Sequence, residues 1–424
     1  MGDSPRQSRK AVDTHALFVA AAAAFCTYFC MYAFRKPFTA ATYENQEIYG
    51  LAAKTVLVTS QLFGYMLSKF IGIKVVSEMT RVRAGLVLVG LISVAELALV
   101  AFAFAPTSLR PICLFANGLP LGMVFGLVLV FLEGRKQTEA LSAALCASFI
   151  VSSGAVKSIG EYLLQDWQVN EYQMPMIVGG MFFVPLLISV WVLQSTPAPS
   201  SEDLKERNER KPLSRSQRWA FFRKHWPGLS LMIFVYIALT IIRTVRDDFG
   251  VEIWRDLGVS KKPEVFVRSE TVVAVFVVAF NAAAIWIRNH LTALKVVAAT
   301  MCLAFAVSGL VACLQSADLV SPFVFMVACG VGLYIPYVAF HTTVFERLVA
   351  ASSQAGNLVF LMYLADAIGY LGYAMIMIGK SVFPAPGEML PFFLGSLIAG
   401  SIGCVIALLA ALIYFQKTLS TEEI

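Results

Sequence analysis

Long apolar stretches recur along this chain of 424 residues, and they limit the folds that it can adopt. A helix of about 20 apolar residues spans the hydrocarbon core of a bilayer, whereas a membrane strand needs only about 9 to 11. A helix also satisfies its backbone hydrogen bonds within the segment, as a lipid environment requires. Because the stretches have helix length, we predict an all-α integral membrane protein with twelve transmembrane helices, at 14–36, 52–73, 84–104, 111–132, 141–164, 174–194, 227–249, 269–287, 294–314, 321–344, 354–379 and 389–415.

The charged residues indicate how the chain is oriented in the membrane. Only 14% of the residues are charged, against 58% that are hydrophobic, and the basic ones concentrate in alternate loops. Basic loops stay on the cytoplasmic side, so both termini are predicted to be cytoplasmic. This topology accounts for the net charge of +6 without a nucleic-acid partner. We expect a monomeric, multi-pass protein of a plasma membrane, such as the bacterial inner membrane. The few basic residues predicted on the external side are Lys54, Arg110, Lys261, Lys262 and Lys380.

Two arginines lie in matching polar stripes about half a chain apart. The spacing i, i+4, i+7 places three residues on one helix face. An ionised side chain within the bilayer is costly and marks a functional site by default. Two inward-facing guanidinium groups suit an anion, because each planar fork can donate two hydrogen bonds to phosphate or carboxylate. We therefore predict one anion site that contains both arginines, although Arg35 could instead anchor its helix at the membrane interface. The stripes are Tyr28, Tyr32 and Arg35 and, 208 residues later, Tyr236, Thr240 and Arg243.

The half-chain period also predicts the domain organisation. Residues 1–196 form an N-terminal six-helix bundle, residues 197–226 a cytoplasmic linker, and residues 227–424 a C-terminal six-helix bundle. Two such halves, related by an axis along the membrane normal, constitute the major facilitator architecture. Transporters of this architecture work by alternating access of the two bundles around a site near the middle of the bilayer.

Three motifs carry a closer family resemblance. The sequence Tyr-Ala-Phe-Arg-Lys-Pro-Phe at 32–38 resembles the Tyr-x-x-Arg-Lys-x-Phe signature of the organophosphate:phosphate antiporters, a major facilitator branch. Gly-Tyr-Met-Leu-Ser-Lys-Phe at 64–70 resembles the helix-two pattern of that branch, and Arg243 with Asp248-Phe249 resembles its helix-seven pattern. The resemblance implies exchange of a phosphate ester for inorganic phosphate, with Arg35 and Arg243 as the phosphate ligands. It also implies a cavity lined by Tyr28, Tyr32, Tyr65 and Lys69, to which the internal repeat adds Tyr236.

Other charged residues within the predicted spans are candidates for coupling or ion pairing. The antiporters carry a histidine in helix five, where this chain has Lys157 and Glu161. These two are spaced i, i+4, so they can also neutralise each other and be purely structural. Asp366 in helix eleven can carry a proton or pair with an arginine, and we favour the counter-ion, since exchange needs no proton. His341 is either a protonatable donor or a packed helix-end residue.

These observations favour a secondary active transporter for a small anion, either phosphate or a phosphorylated or carboxylated metabolite. A transporter-like receptor that senses such an anion and a proton-coupled symporter of another solute are the alternatives. We do not expect an enzyme, because no nucleophile and base are placed together. All eight cysteines fall within predicted spans and the four histidines are scattered, so neither a metal site nor a cofactor is expected.

Overall fold

A computed structural model of the protein describes residues 5–77, 79–132, 138–197, 215–260, 262–285, 287, 289–344, 358–382 and 389–420. The chain divides into two compact units. The first unit comprises Met1–Phe38 and Ser60–Asn208, and the second comprises Thr39–Thr59 and Glu209–Ile424. The segment Thr39–Thr59 thus groups with the second unit, although the residues on both sides of it in the chain belong to the first.

Helices build the first unit. Helix α1 packs against α6 and α7, while α3 packs against α4 and α7. Helices α2 and α4 approach so closely at Gly118 that a Cβ atom added there would lie 2.1 Å from the carbonyl oxygen of Gln61. Small residues permit such backbone contacts between membrane helices. The helices are α1 (Pro5–Tyr32), α2 (Ala53–Ser77), α3 (Arg81–Phe104), α4 (Arg110–Leu121), α5 (Val124–Leu132), α6 (Thr138–Gln165) and α7 (Met174–Ser195).

The predicted span 111–132 is interrupted in the structure. Helix α4 ends at Leu121 and α5 begins at Val124. Pro120 accounts for the break, because proline lacks the N–H that would bond to the carbonyl one turn earlier. The two pieces together still form one stretch, Arg110–Leu132, that is long and apolar enough to cross a membrane.

The second unit is also helical. Helix α14 packs against α8 and α11, α12 packs against α10 and α11, and α13 packs against α8. A π-helical turn, Phe340–Val344, continues α12. The helices are α8 (Arg215–Asp248), α9 (Gly250–Asp256), α10 (Glu264–Ile285), α11 (His290–Ser316), α12 (Pro322–Ala339), α13 (Leu358–Val382) and α14 (Met389–Ser420).

Helix α8 begins earlier than the sequence predicted. The linker was expected to reach residue 226, but the helix starts at Arg215, and the linker residues 198–214 lie outside the described part of the chain. The helix kinks at His225, whose φ and ψ of −111° and 17° are not helical. Pro227 follows two residues later and cannot donate the helical hydrogen bond. The proline that suggested a linker therefore produces a kink within a longer helix.

A short β-hairpin was not predicted. Strand β1 (Glu47–Ile48) pairs antiparallel with β2 (Leu51–Ala52), directly before α2. The two turn residues, Tyr49 and Gly50, have φ values of 56° and 75°. Two successive positive φ angles are typical of a type I′ turn, the tight connection that suits the twist of paired strands. The hairpin covers residues 47–52, and every other regular element of the described residues is helical, as the sequence predicted.

Seven helical stretches in the described residues are long and apolar enough to cross a membrane. They include all of α3 and α7 and the part of α8 from His225 to Asp248. The apolar part of α1, Leu17–Tyr32, is shorter. Together these helices indicate a multi-pass membrane protein, while the full set of twelve spans stays a prediction.

Candidate functional site

Arg35 lies on a tight turn beyond the end of α1. The sequence predicted a continuous helix through residue 36, but the α-helix ends at Tyr32, and the next three amides bond to carbonyls only three residues earlier. Pro37 explains the difference, because a proline disfavours the helical conformation of the residue before it. A 3₁₀ turn, Pro37–Thr39, follows. The predicted helical stripe of Tyr28, Tyr32 and Arg35 is therefore wrong at its last residue.

A buried amide network holds this turn in place. The Gln61 side chain donates from Nε2 to the carbonyl oxygen of Arg35 at 2.8 Å and to Oδ1 of Asn117 at 2.7 Å. Asn117 in turn donates from Nδ2 to the carbonyl oxygens of Phe34 at 3.0 Å and Ala95 at 2.9 Å. These bonds satisfy carbonyls that the end of α1 would leave exposed in an apolar interior. The sequence analysis did not predict a role for Asn117, although an asparagine within an apolar run is a signal of such a network.

The Arg35 guanidinium is stacked on an aromatic ring. Its Cζ atom lies 3.9 Å from the centroid of the Tyr65 ring and 5.7 Å from that of Tyr32. The Lys69 Nζ atom lies 5.2 Å from the same Tyr65 ring, so two cations share this tyrosine. The Tyr28 ring contacts that of Tyr32 at 5.7 Å. All five residues are at least 91% buried, so the structure brings the predicted unit 1 residues together.

Arg243 in α8 has a similar setting in the second unit. It is 6% exposed, and its Cζ atom lies 4.2 Å from the ring centroid of Tyr337 and 5.8 Å from that of Tyr334. The Nη2 atom is 3.5 Å from the Thr244 hydroxyl, which is the limit of a hydrogen bond, and the buried Nε atom has no hydrogen-bond partner among the described residues. Within the described ranges no carboxylate forms an ion pair with this guanidinium. Arg243 thus retains donors for a ligand.

Arg246, three residues further along α8, shows the opposite arrangement. Its Nη1 atom lies 2.7 Å from Oε1 of Glu270 on α10, and its Nη2 atom donates to the Met326 carbonyl at 2.9 Å. The charge is therefore compensated within the protein, which suits a structural tie between α8, α10 and α12. Sequence analysis did not single out Arg246, because nothing in the local pattern separates it from Arg243.

A second polar cluster involves Asp366 on α13. The Tyr236 hydroxyl donates to Oδ1 of Asp366, and it lies 3.5 Å from Nε2 of His341. The other ring nitrogen of His341 is 2.8 Å from the Tyr337 carbonyl oxygen. His341 stands in the π-helical turn, a departure from α-helix that is often found at functional sites. Because Tyr337 contacts both Arg243 and Tyr236, this cluster adjoins the arginine, and the structure pairs Asp366 with a tyrosine rather than with Arg243.

Lys157 and Glu161 are buried on α6. Lys157 donates from Nζ to the Ser153 hydroxyl at 3.1 Å, and Glu161 accepts a hydrogen bond from the Gln165 side chain. Each charge therefore has a polar neighbour one turn away on its own helix. In the described residues, no group of three or more His, Cys, Asp or Glu side chains could hold a metal ion.

The comparisons with known proteins place the chain in a family. Residues 37–418 match a family described as a family of unknown function, DUF5690. The chain belongs to this family. No curated protein matches its sequence. Among solved structures, the crystal structure of a D-xylose-proton symporter is similar, with a TM-score of 0.58 over 94% of this chain and 96% of that one, at 13% sequence identity. At this identity the likeness shows the fold, which is that of the major facilitator transporters.

Proposed function

We propose that this DUF5690 protein is a secondary active transporter that moves a small anion by alternating access. The anion is inorganic phosphate or a phosphorylated or carboxylated metabolite. The major facilitator fold supports the transport function, and the two arginines support the charge of the substrate.

The observation that carries the proposal is the state of the Arg243 guanidinium. One face is stacked on the Tyr337 ring, while the Nε donor lacks a partner in the described part of the chain. A buried cation with unused donors is costly unless a ligand supplies the missing charge and acceptors. A guanidinium remains charged even when desolvated, and its edge presents paired donors that match phosphate or carboxylate. Arg246 on the same helix also has an Nε atom without a hydrogen-bond partner in the described residues, but Glu270 compensates its charge.

Arg35 gives the first unit a comparable group. Its guanidinium also lies against a tyrosine ring, and Lys69 adds a second positive charge on the same ring. Stacking on tyrosine fixes the plane of the guanidinium without neutralising it. An anion would be attracted to two cations placed on one ring, which supports an anion as the substrate.

The test is transport by the purified protein in proteoliposomes. Vesicles loaded with unlabelled phosphate are placed in labelled inorganic phosphate, and a panel of phosphate esters and carboxylates is added as competitors. We expect labelled phosphate to enter, or a competing anion to enter when it is labelled instead. Neutral sugars should have no effect. Saturable binding of an anion without entry would favour the receptor alternative, and uptake of a neutral solute alone would refute the anion proposal.

Proton coupling is a second candidate, favoured by the hydrogen bond between Tyr236 and Asp366. A buried carboxylate that accepts a hydrogen bond from a hydroxyl, with a histidine nearby, is a group that can gain and lose a proton. The xylose transporter of similar fold is a proton symporter by its title, which is compatible with this candidate. An inward pH gradient should then drive accumulation of the solute, whereas a pure exchanger would be indifferent to it.

A further inference from the structure

The segment Thr39–Thr59 is tied to the second unit by a buried ion pair. Lys54, in the first turn of α2, donates from Nζ to Oε1 of Glu252 at 2.6 Å and to Oε2 at 2.8 Å. It also donates to the Thr39 carbonyl oxygen at 2.9 Å, and its Nζ atom lies 5.4 Å from the Phe249 ring centroid. The side chains of Lys54 and Glu252 are 4% and 12% exposed. The ammonium group is therefore enclosed by acceptors and an aromatic face.

Helix α9, which carries Glu252, is itself anchored. Oδ2 of Asp256 accepts a hydrogen bond from the Leu390 amide at the start of α14, at 3.0 Å. Tyr373 on α13 donates to Oδ2 of Asp248, just before α9, at 2.9 Å. The acceptor of Lys54 is thus fixed to the body of the second unit, while Lys54 belongs to a segment whose two ends, Phe38 and Ser60, continue into the first unit.

We propose that Lys54 and Glu252 form a latch that controls opening of the protein on the side predicted to be external. The proposal rests on the transport function proposed above, since a latch matters only if the two units move. Any such motion must either bend the chain near residues 38 and 60 or pull Thr39–Thr59 away from the second unit. Pulling it away separates a buried ion pair, which is costly because each charge loses its partner before water can reach it.

A second ion pair joins the same two segments and serves as a matched control. Arg255 on α9 pairs with Glu44, but their side chains are 46% and 59% exposed. Exposed pairs contribute little, since water solvates both charges when they part. If the buried pair is the latch, removing it and removing the exposed pair will have very different effects, although both connect residues 39–59 to α9.

The experiment measures how fast a buried reporter beside the latch becomes accessible. Thr39 is fully buried, and Thr39→Cys is treated in proteoliposomes with a membrane-impermeant maleimide, with labelling read peptide by peptide by mass spectrometry. We expect Lys54→Gln and Glu252→Gln each to raise the labelling rate about tenfold or more. Glu44→Gln and Arg255→Gln should change it less than about twofold. The conservative change Lys54→Arg should be labelled within about threefold of the parent rate. The same holds for the charge exchange, which combines Lys54→Glu with Glu252→Lys.

Cys146 and Cys404 are buried elsewhere in the two units, and they act as internal references. A variant that is merely unfolded is labelled at these two cysteines as well and is set aside. The labelling rate of Lys54→Arg is then compared with that of the parent instead. Equal rates for the buried-pair and exposed-pair variants would overturn the latch, as would a charge exchange that labels as fast as the single variants. Labelling needs no substrate, so it can support or refute the latch even if phosphate exchange fails and the proposed function is wrong.

Discussion

Tyr236 donates its hydroxyl hydrogen bond to Asp366, across from α8 to α13. A carboxylate that accepts a hydrogen bond from a phenol is held in place but keeps its charge. It can therefore still bind and release a proton. The same tyrosine lies next to Tyr337, on which Arg243 is stacked. Arg243, the candidate anion ligand, and Asp366, the candidate proton carrier, are therefore neighbours within the second unit.

Replacing Asp366 by asparagine separates the two roles. If Asp366 carries a proton, Asp366→Asn should abolish accumulation driven by a pH gradient and leave equilibrium exchange of the anion within about twofold. If it balances the charge of an arginine at longer range, both activities should fall together, because a buried cation loses compensation. We expect the second outcome, since the exchange proposed above needs no proton. Both rates can be measured in the same proteoliposomes, and a joint loss would support the counter-ion.

Arg35→Lys and Arg243→Lys should each weaken anion binding about tenfold or more. Lysine keeps the charge but loses the planar fork, and a hydrogen bond to a charged group contributes about 1.5 to 3 kcal/mol. Titration calorimetry with inorganic phosphate or the best competing anion measures the change. Arg255→Lys, in an exposed ion pair, is the control and should bind like the parent. Unchanged affinity in both test variants would exclude these arginines as ligands.

Removing the buried amide network should destabilise the first unit. Asn117→Ala removes the donor to the Phe34 carbonyl and the acceptor of the Gln61 amide, and an unsatisfied buried group costs about 1 to 3 kcal/mol. We expect the melting temperature in detergent to fall by several degrees. The exposed Asp166→Ala should leave it unchanged. A variant that melts like the parent would show that the amide network contributes little to holding the Arg35 turn.

Gly118→Ala should also destabilise the protein, through the contact between α2 and α4. The added Cβ would meet the Gln61 carbonyl oxygen, a backbone atom that cannot move aside alone, and overpacking costs about 1 to 3 kcal/mol. Gly90→Ala on α3 is the matched control, since nothing lies within 4 Å of its added Cβ. That change should be neutral or stabilising by up to about 1 kcal/mol, because alanine favours helix. Thermal unfolding of both variants decides between these expectations.

The orientation in the membrane can be tested with fused reporters. The distribution of basic loops predicts that a reporter joined after Glu209 is cytoplasmic and that one joined after Gly258 is external. Alkaline phosphatase and green fluorescent protein report the two sides in a complementary way. The opposite pattern would reverse the inside and outside of the topology, and the latch between Lys54 and Glu252 would then face the cytoplasm.

The sequence predicted the elements of the fold better than their ends. Apolar length identified the seven stretches of the described residues that can cross a membrane, since a bilayer fixes how long a helix must be. The end of α1 at Tyr32, the kink at His225 and the break after Leu121 all follow from prolines, whose effect depends on the surrounding backbone. Pattern alone could not decide whether each proline would end, bend or divide a helix.

The candidate site was predictable as a set of residues but not as a set of contacts. The repeat identified Arg35 and Arg243, because the cost of a charge in the bilayer can be read from the sequence. Partners depend on packing between distant segments, so neither the pairing of Arg246 with Glu270 nor the contact of Tyr236 with Asp366 had a local signal. The same reason explains why the role of Asn117 was not predicted, since it depends on carbonyls from the turn after α1 and from α3.

The ion pair between Lys54 and Glu252 also affects the order in which the protein can mature. The two residues are 198 positions apart, and a chain grows by about 5 to 20 residues each second. The hairpin and the first turn of α2 therefore wait about 10 to 40 seconds after synthesis before their acceptor exists. During this time the Lys54 ammonium must stay hydrated or find a temporary partner. A newly made N-terminal half is thus an incomplete folding unit, and we expect it to depend on the insertion machinery or a chaperone until α9 has emerged.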